Sequence, residues 1–371
     1  MAIIAFRVDA SLSIGTGHIF RCLTLANHLR KRGIECIFIC RSHIGNLIEL
    51  ITQNGHLALA LPVSDSKKYS HHTSLNNHLE WLGTDWTVDA HDTKEILSSI
   101  NIKKIDILIV DHYALDIRWE QALRPYAKKI MVIDDLADRQ HDCDLLLDQN
   151  IARNEQEYIN LIDKNTIKMI GPRYALLRPE FAELRGKSLE RRKMKRQSKH
   201  LLISMGGVDK ENITGEVLKA VKKCQFPTNM HITVVMGTIS PHLEQVQIQA
   251  KDMFCPTKVL TGVSNMAELM TESDLAVGAC GGTAWERCCL GLPSLIFIIA
   301  KNQLAGAKAL HRAGAAIVLK NYHHLTEIIS NWASPHSTEA IIKKMSDAAI
   351  AITDGQGCNR VVDILIENIN A

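Results

Sequence analysis

The chain has 371 residues, of which 46% are hydrophobic and 22% are charged, and its formal net charge at pH 7 is +3. This apolar content is enough for packed cores and excludes a disordered chain. At roughly 150 residues per domain, the length predicts two domains. No apolar run approaches the roughly 20 residues that span a bilayer, and the N-terminus lacks the pattern of an export signal. We therefore expect a cytoplasmic protein without a membrane segment.

The sequence contains ten cysteines and no Cys-x-x-Cys pair. A chain of this length can bury a sufficient core without disulfides, and the cysteine spacing fits no zinc motif. The pattern therefore predicts reduced, mostly buried thiols and no structural zinc site.

In the first half, short apolar runs alternate with amphipathic segments. A helical apolar periodicity covers residues 19–32 and ends at Gly33, a typical helix stop. Because strand, helix and strand in succession form right-handed parallel crossovers, we predict a doubly wound parallel sheet. The predicted strands cover residues 2–8, 35–40, 105–110, 130–133 and 145–147.

A basic segment separates the two halves. Residues 183–199 contain eight lysines or arginines, two glutamates and no aromatic residue. Nucleic-acid binding needs basic and aromatic residues spread along one face, so the composition favours a solvated helix or linker and no nucleic-acid partner. We assign residues 1–185 to an N-terminal domain, 186–199 to a basic linker and 200–371 to a C-terminal domain.

The second half repeats the alternation of strands and helices, which predicts a second sheet of the same kind. In such folds ligands bind at the carboxyl ends of the strands, so we expect a ligand cleft between the two halves. The predicted strands cover residues 201–204, 232–235, 274–277 and 294–299, and predicted helices cover 266–271 and 284–290.

The loop after the first strand contains Gly15, Gly17 and His18. Glycines let a backbone approach a ligand closely, and a helix start offers free N–H groups to an anion. The positive end of the helix dipole would also favour a neutral imidazole that can accept a proton. His18 is therefore a candidate base, and the alternative is that it only caps the helix.

Two further loops of the first half carry polar side chains after predicted strands. Asp111, His112 and Tyr113 could line a substrate site or form an ordinary turn. Asp134 and Asp135 could bind a metal, orient a histidine or hold sugar hydroxyls. Adjacent acids point apart, and helix starts can already hold phosphates, so the pattern disfavours a metal.

In the second half, glycines follow two predicted strands. Gly206 and Gly207 follow the first strand of this half. Gly281 and Gly282 precede Thr283 at a helix entrance, where backbone amides can cradle a pyrophosphate without a metal. Glu286 falls in the first helical turn, where its carboxylate can reach a ribose diol. A tight turn and a helix-stabilising glutamate would explain these residues but not the polar Asn302 and Gln303 after the next strand.

Together these motifs resemble the UDP-2,4-diacetamido-2,4,6-trideoxy-β-L-altropyranose hydrolases of pseudaminic acid biosynthesis, along essentially the whole chain. The glycine motifs are shared with the wider GT-B superfamily. The motifs are Gly-x-Gly-His-x-x-Arg at 15–21, Asp-His-Tyr at 111–113, Asp-Asp at 134–135, His-x-Cys-Asp at 141–144 with 145–150, the block 171–178, Ser-Met-Gly-Gly-x-Asp at 204–209 and the block 281–303.

The resemblance implies a GT-B fold, with two Rossmann-like domains facing each other across a cleft. It also implies that His18 activates water, that Tyr113 positions substrate or water, that Glu286 holds the ribose and that Asn302 holds sugar or phosphates. We expect no cofactor, no metal and a monomer, with the UDP-sugar as ligand. The residues assigned to substrate binding are Gly15, Gly17, Arg21, His112, Asp134, Asn150, Gly206, Gly207, Gly281, Gly282, Thr283, Glu286, Asn302 and Gln303.

Two other functions stay open. A GT-B glycosyltransferase would share His18 and the UDP site but needs an acceptor groove, often with an apolar membrane-facing patch. A catalytically inactive nucleotide-sugar binding protein is disfavoured by the presence of His18, Tyr113 and Glu286. UDP is a good leaving group, so hydrolysis needs no paired carboxylic acids and would invert the configuration at C1.

Overall fold

The computed structural model describes residues 2–63, 78–100, 104–194, 199–224, 229–333 and 339–370. The chain divides into two compact α/β units. The first unit comprises Met1–Leu176 and Cys358–Ala371, and the second comprises Leu177–Gly357. No described helix combines the length and the hydropathy needed to traverse a bilayer.

The first unit contains a sheet of seven parallel strands in the order β3-β2-β1-β4-β5-β6-β7. Four helices precede or follow these strands, and the C-terminal helix of the chain joins them. The strands are β1 Ile3–Val8, β2 Glu35–Arg41, β3 Leu57–Leu61, β4 Ile105–Asp111, β5 Ala127–Ile133, β6 Leu145–Asp148 and β7 Ile167–Ile170, and the helices are α1 Gly17–Lys31, α2 Ile48–Gln53, α3 Trp86–Ser99 and α4 Ile117–Leu123.

The second unit contains six parallel strands in the order β10-β9-β8-β11-β12-β13. The strands are β8 Lys199–Ser204, β9 Met230–Met236, β10 Thr257–Thr261, β11 Leu275–Ala279, β12 Ser294–Phe297 and β13 Ile317–Val318. The helices are α5 Pro179–Lys193, α6 Ile213–Val221, α7 Leu243–Lys251, α8 Met266–Glu272, α9 Thr283–Cys289, α10 Leu304–Arg312, α11 Tyr322–Ala333 and α12 Glu339–Ile350, followed by α13 Gly357–Asn370.

The inner strands are buried on both faces. Along β1, Ile4 and Phe6 pack into one core cluster and Ala5 into another, because successive side chains point to opposite faces of the sheet. Helices cover both faces of an all-parallel sheet, which explains the continuous apolar runs in the sequence. The prediction of two doubly wound parallel sheets is confirmed.

The strand orders locate the ends of the strands at which ligands are expected. In the first sheet, the strand order changes direction between β1 and β4, and in the second sheet it changes direction between β8 and β11. In doubly wound sheets, ligands bind at the carboxyl ends of the strands that flank this reversal. The candidate loops therefore follow β1 and β4 in the first unit, and β8 and β11 in the second.

The basic segment is exposed at Lys187 and Lys193, as the predicted solvated helix would be, but its residues Arg185, Arg191 and Arg192 are half-buried. Much of it forms α5, whose arginines bind backbone carbonyls at the ends of other helices. Arg185 donates to the carbonyls of Cys289 and Ile350, and Arg192 donates to that of Leu290. The last carbonyls of a helix have no intrahelical partner and carry partial negative charge, so guanidinium groups satisfy them. Residues 195–198 of the predicted linker lie outside the described residues.

The two units also differ from the predicted domains 1–185 and 200–371. Helix α5 belongs to the second unit, and α13 packs against the first, where Val361, Val362 and Leu365 share a core cluster with Cys22 and Leu29 of α1. The sequence pattern shows that a helix has an apolar face, but it does not show which of the two sheets that face packs against.

Truncating the core face of α13 should destabilise the first unit selectively. Leu365 and Leu325 are both fully buried, the first in the core of the first unit and the second in that of the other unit. We expect Leu365→Ala to cost about 2–5 kcal/mol by leaving a cavity. Hydrogen exchange should accelerate in β1 and α1, whereas Leu325→Ala should act on the second sheet. Faster exchange confined to the second sheet in Leu365→Ala would contradict the assignment of α13.

Candidate active site

His18 and Asp111 form a buried pair in the first unit. His18 lies in the first turn of α1, and Asp111 is the last residue of β4, the strand beside β1. The distance from His18 Nδ1 to Asp111 Oδ1 is 2.6 Å. A carboxylate can only accept here, so the neutral imidazole carries its proton on Nδ1. The Nε2 lone pair is then available to take a proton from a bound molecule.

Arg21 holds the Asp111 carboxylate from the same face of α1. Its Nε donates to Asp111 Oδ2 at 2.6 Å, its Nη2 to Oδ1 at 2.5 Å, and its Nη1 to Asp135 Oδ2 at 3.1 Å. Burial raises the pKa of Asp111, but the charge and hydrogen bonds of Arg21 and His18 outweigh it and hold that pKa well below its usual value. Arg21 was assigned to substrate binding, whereas the structure shows its guanidinium engaged by these two carboxylates.

Tyr113 lies two residues beyond Asp111 and packs edge-on against His18, with 4.8 Å between the ring centroids. Burial, together with the nearby Asp135 carboxylate, raises the pKa of Tyr113 well above its usual value. Trp81 stacks on the Tyr113 ring at 5.4 Å, and His78 lies edge-on to both rings. His18 therefore stands beside an aromatic wall formed by Trp81, Tyr113 and His78.

Two residues predicted to bind substrate are instead buried among protein groups. His112 is 3% exposed, accepts the N–H of Ala114 on Nδ1 and places Nε2 at 3.3 Å from Asp9. Asp134 is fully buried and accepts hydrogen bonds from Arg139 and from the backbone of the turn that follows it. Neighbouring residues at a strand end point in opposite directions, so only one residue of an adjacent pair faces the site. At 134–135, that residue is Asp135.

The remaining predicted residues of the first unit lie at the start of α1 and beside Asp135. Gly15 has a φ of +82°, which suits glycine, and Gly17 is the first residue of α1. Thr16, which caps this helix, makes no side-chain bond to it, so the first N–H groups of α1 have no side-chain partner. The Asn150 side chain donates to the carbonyl of Asp135 at 3.3 Å.

The second unit presents its predicted residues in three loops. Gly206 and Gly207 follow β8, and Gly206 is exposed with a φ of +104°. Asn302 is exposed after β12, whereas the Gln303 side chain accepts the N–H of Ile299 at 3.2 Å within its own loop. The third loop, residues 280–282, connects β11 to α9.

Gly281 and Gly282 of this third loop are exposed, and a Cβ atom added to either would meet no other atom within 4 Å. Thr283 begins α9, and Glu286 is half-buried in its first turn. Burial raises the pKa of Glu286, and the charges of Arg178 and Arg287 oppose that shift. The glycine loop can therefore present backbone amides and open space to an anion, with a carboxylate one turn away.

The described residues contain no group of three metal-binding side chains that could hold an ion. All ten cysteines are free and buried. Burial raises the pKa of the Cys22 thiol, beside Asp111, well above its usual value, so it is not a nucleophile at neutral pH.

Three residues of the site were not among those assigned to catalysis or substrate binding: Asp111, the partner of His18, Asp135, the partner of Arg21, and Trp81. Asp111 was visible in the Asp-His-Tyr motif, but it lies 93 residues from His18 in the sequence. Only the pairing of β1 with β4 brings the two together. No sequence signal distinguished Trp81 from a core aromatic residue.

Residues 200–353 match the family described as the Glycosyltransferase family 28 C-terminal domain. The chain is 25% identical over 318 residues to the UDP-2,4-diacetamido-2,4,6-trideoxy-beta-L-altropyranose hydrolase of Campylobacter jejuni, covering 85% of this chain and 99% of that protein. The resemblance to this hydrolase family is confirmed. An uncharacterized protein of Methanocaldococcus jannaschii is 26% identical over 306 residues, 81% of this chain and only 56% of that relative.

The fold is also that of known glycosyltransferases. The crystal structure of MurG from Acinetobacter baumannii superimposes with a TM-score of 0.69 at 15% sequence identity, covering 99% of this chain and 100% of that chain. Two parallel-sheet α/β units together with this similarity confirm the GT-B fold.

Proposed function

We propose that the protein hydrolyses UDP-2,4-diacetamido-2,4,6-trideoxy-β-L-altropyranose to UDP and the free sugar. The observation that carries the proposal is the Asp111–His18 pair, which leaves a basic imidazole nitrogen beside an aromatic wall. The similarity to a hydrolase of this name over 85% of the chain supports the choice of substrate.

In the proposed reaction, His18 Nε2 takes a proton from water as the water oxygen attacks the anomeric carbon. The ionised Asp111 carboxylate stabilises the imidazolium that forms, and Arg21 keeps that carboxylate in place. The bond between C1 and the phosphate oxygen breaks, its electron pair leaves with UDP, and the configuration at C1 inverts. Tyr113 would hold the sugar or the water in position.

The second unit would hold the nucleotide. Open backbone amides of loop 280–282 would donate hydrogen bonds to the diphosphate, and the Glu286 carboxylate would accept hydrogen bonds from the ribose hydroxyls. UDP leaves as an anion stabilised by these amides, so no carboxylic acid has to protonate it and no metal is needed.

A second candidate is a GT-B glycosyltransferase that moves the sugar to an acceptor. The family 28 match at residues 200–353 and the similarity to MurG favour it. The same His18 would then deprotonate an acceptor hydroxyl instead of water.

The two candidates differ in acceptor-free turnover. Purified protein treated with EDTA and given only the UDP-sugar should release UDP and free sugar in equal amounts over many turnovers, because water is the co-substrate and amides neutralise the diphosphate. Product quantification by chromatography checks this. UDP release only after addition of an acceptor would favour the transferase, and recovery only with Mg²⁺ or Mn²⁺ would contradict the metal-free site.

Replacing the proposed base should separate chemistry from binding. We expect His18→Gln to lower kcat by about 10²- to 10⁴-fold while UDP affinity stays close to wild type. The control is His28→Gln on the same helix, because His28 Nδ1 only donates to the Thr24 carbonyl at 2.9 Å. Steady-state kinetics and UDP titration provide both values, and a His18→Gln protein with wild-type kcat would refute the assignment of the base.

A further inference from the structure

Among the described residues of the second unit, Arg287 is a buried cation without an acidic partner. Arg287 is 2% exposed, and its Nε has no hydrogen-bond partner among the described residues. The carboxylate that acts on it electrostatically is that of the adjacent Glu286, and the two form no ion pair among the described contacts. The other fully buried arginines, Arg7 and Arg41, are paired, each at 2.6 Å from Asp89.

The Arg287 guanidinium contacts both ends of the exposed glycine loop. Nη2 donates to the carbonyl of Ala279, the last residue of β11, at 2.7 Å. Nη1 donates to Thr283 Oγ1, at the start of α9, at 3.2 Å. The side chain thus bridges the two residues that flank loop 280–282, on the side of the loop that faces the protein interior.

Strand β11, which leads into the loop, has a glycine at position 278 that leaves space for this guanidinium. A Cβ atom added to Gly278 would lie 2.7 Å from Arg287 Nη1 and 2.8 Å from the carbonyl oxygen of Ser204. Any side chain at 278 would therefore displace the guanidinium or push β11 away from β8. Burial of this unpaired charge lowers the pKa of Arg287, which reflects the cost of keeping it charged there.

An isolated buried charge is costly, and a nearby opposite charge offsets that cost. We infer that Arg287 is a positioning residue for a diphosphate: it fixes loop 280–282 from the interior and supplies positive charge that an anion on the loop neutralises. This inference rests on the proposed function only through the binding of a nucleoside diphosphate to this loop. It assigns Arg287 no contact with the reacting atoms.

The test compares UDP with uridine, which lacks the phosphates. With calorimetric titration, we expect Arg287→Met to weaken UDP binding by about 10-fold or more and uridine binding by less than about 2-fold, because only the charged ligand loses its counter-charge. Arg287→Lys keeps the charge but not the planar fork, so its ratio of UDP to uridine affinity should stay within about 3-fold of wild type. Should Arg287→Met fail to fold, Arg287→Gln replaces it in the comparison with Arg287→Lys.

The matched control is Arg192→Met. Arg192 also donates to backbone carbonyls, at Leu290, Ser273 and Met270, but it does not contact the glycine loop. Its loss should lower thermal stability and leave the ratio of UDP to uridine affinity unchanged.

Equal loss of UDP and uridine affinity in Arg287→Met, or a reduced ratio in Arg192→Met, would show a purely structural role and overturn the inference. Unchanged UDP affinity in Arg287→Met would overturn it as well. A wild-type protein that does not bind UDP would overturn the proposed function together with it. A protein that binds UDP through Arg287 but does not hydrolyse the sugar nucleotide would refute only the proposed reaction.

Discussion

The candidate site depends on one buried carboxylate. Asp111 accepts hydrogen bonds from His18 and from two nitrogens of Arg21 at 2.5–2.6 Å. With these donors it stays ionised, fixes the tautomer of the imidazole and joins α1 to β4. Arg21 also ties the group to Asp135. Without Asp111, His18 and Arg21 would lose their common hydrogen-bond partner.

The two units handle buried charge in different ways. In the first unit, buried arginines meet carboxylates, as in the pairs of Arg7 and Arg41 with Asp89. In the second unit, Arg191 pairs with Asp274 at 2.7 Å, but three other arginines bind backbone carbonyls: Arg185 and Arg192 satisfy the ends of helices, and Arg287 bridges the glycine loop. Carbonyl dipoles neutralise a guanidinium less completely than a carboxylate does. The second unit therefore retains positive character, which suits an anionic ligand.

The sequence predicted the central strands of both sheets and missed all four edge strands, β3, β7, β10 and β13. Central strands are buried on both faces and show continuous apolar runs. The edge strands β3 and β7 mix buried with exposed residues, β10 has no fully buried residue, and β13 has only two residues, so none shows a continuous apolar run.

Some predicted site residues lie where a single loop motif places them. His18 and Tyr113 do lie together, and Gly281 and Gly282 are open to solvent. His112 and Asp134 were also assigned to substrate binding but are buried among protein groups, because a motif does not show which of two adjacent side chains faces the site. The role of Asp111 was missed because its partner lies on another element, and only strand pairing brings the two together.

The central claim is that His18 directs water to the anomeric carbon. Hydrolysis of the UDP-sugar in ¹⁸O-labelled water, followed by mass spectrometry of both products and NMR of the newly formed anomer, tests it most directly. If His18 directs water to C1, the free sugar carries one ¹⁸O atom at C1, UDP is unlabelled and the configuration at C1 is inverted. Label in UDP would mean attack at phosphorus and would contradict the role of His18.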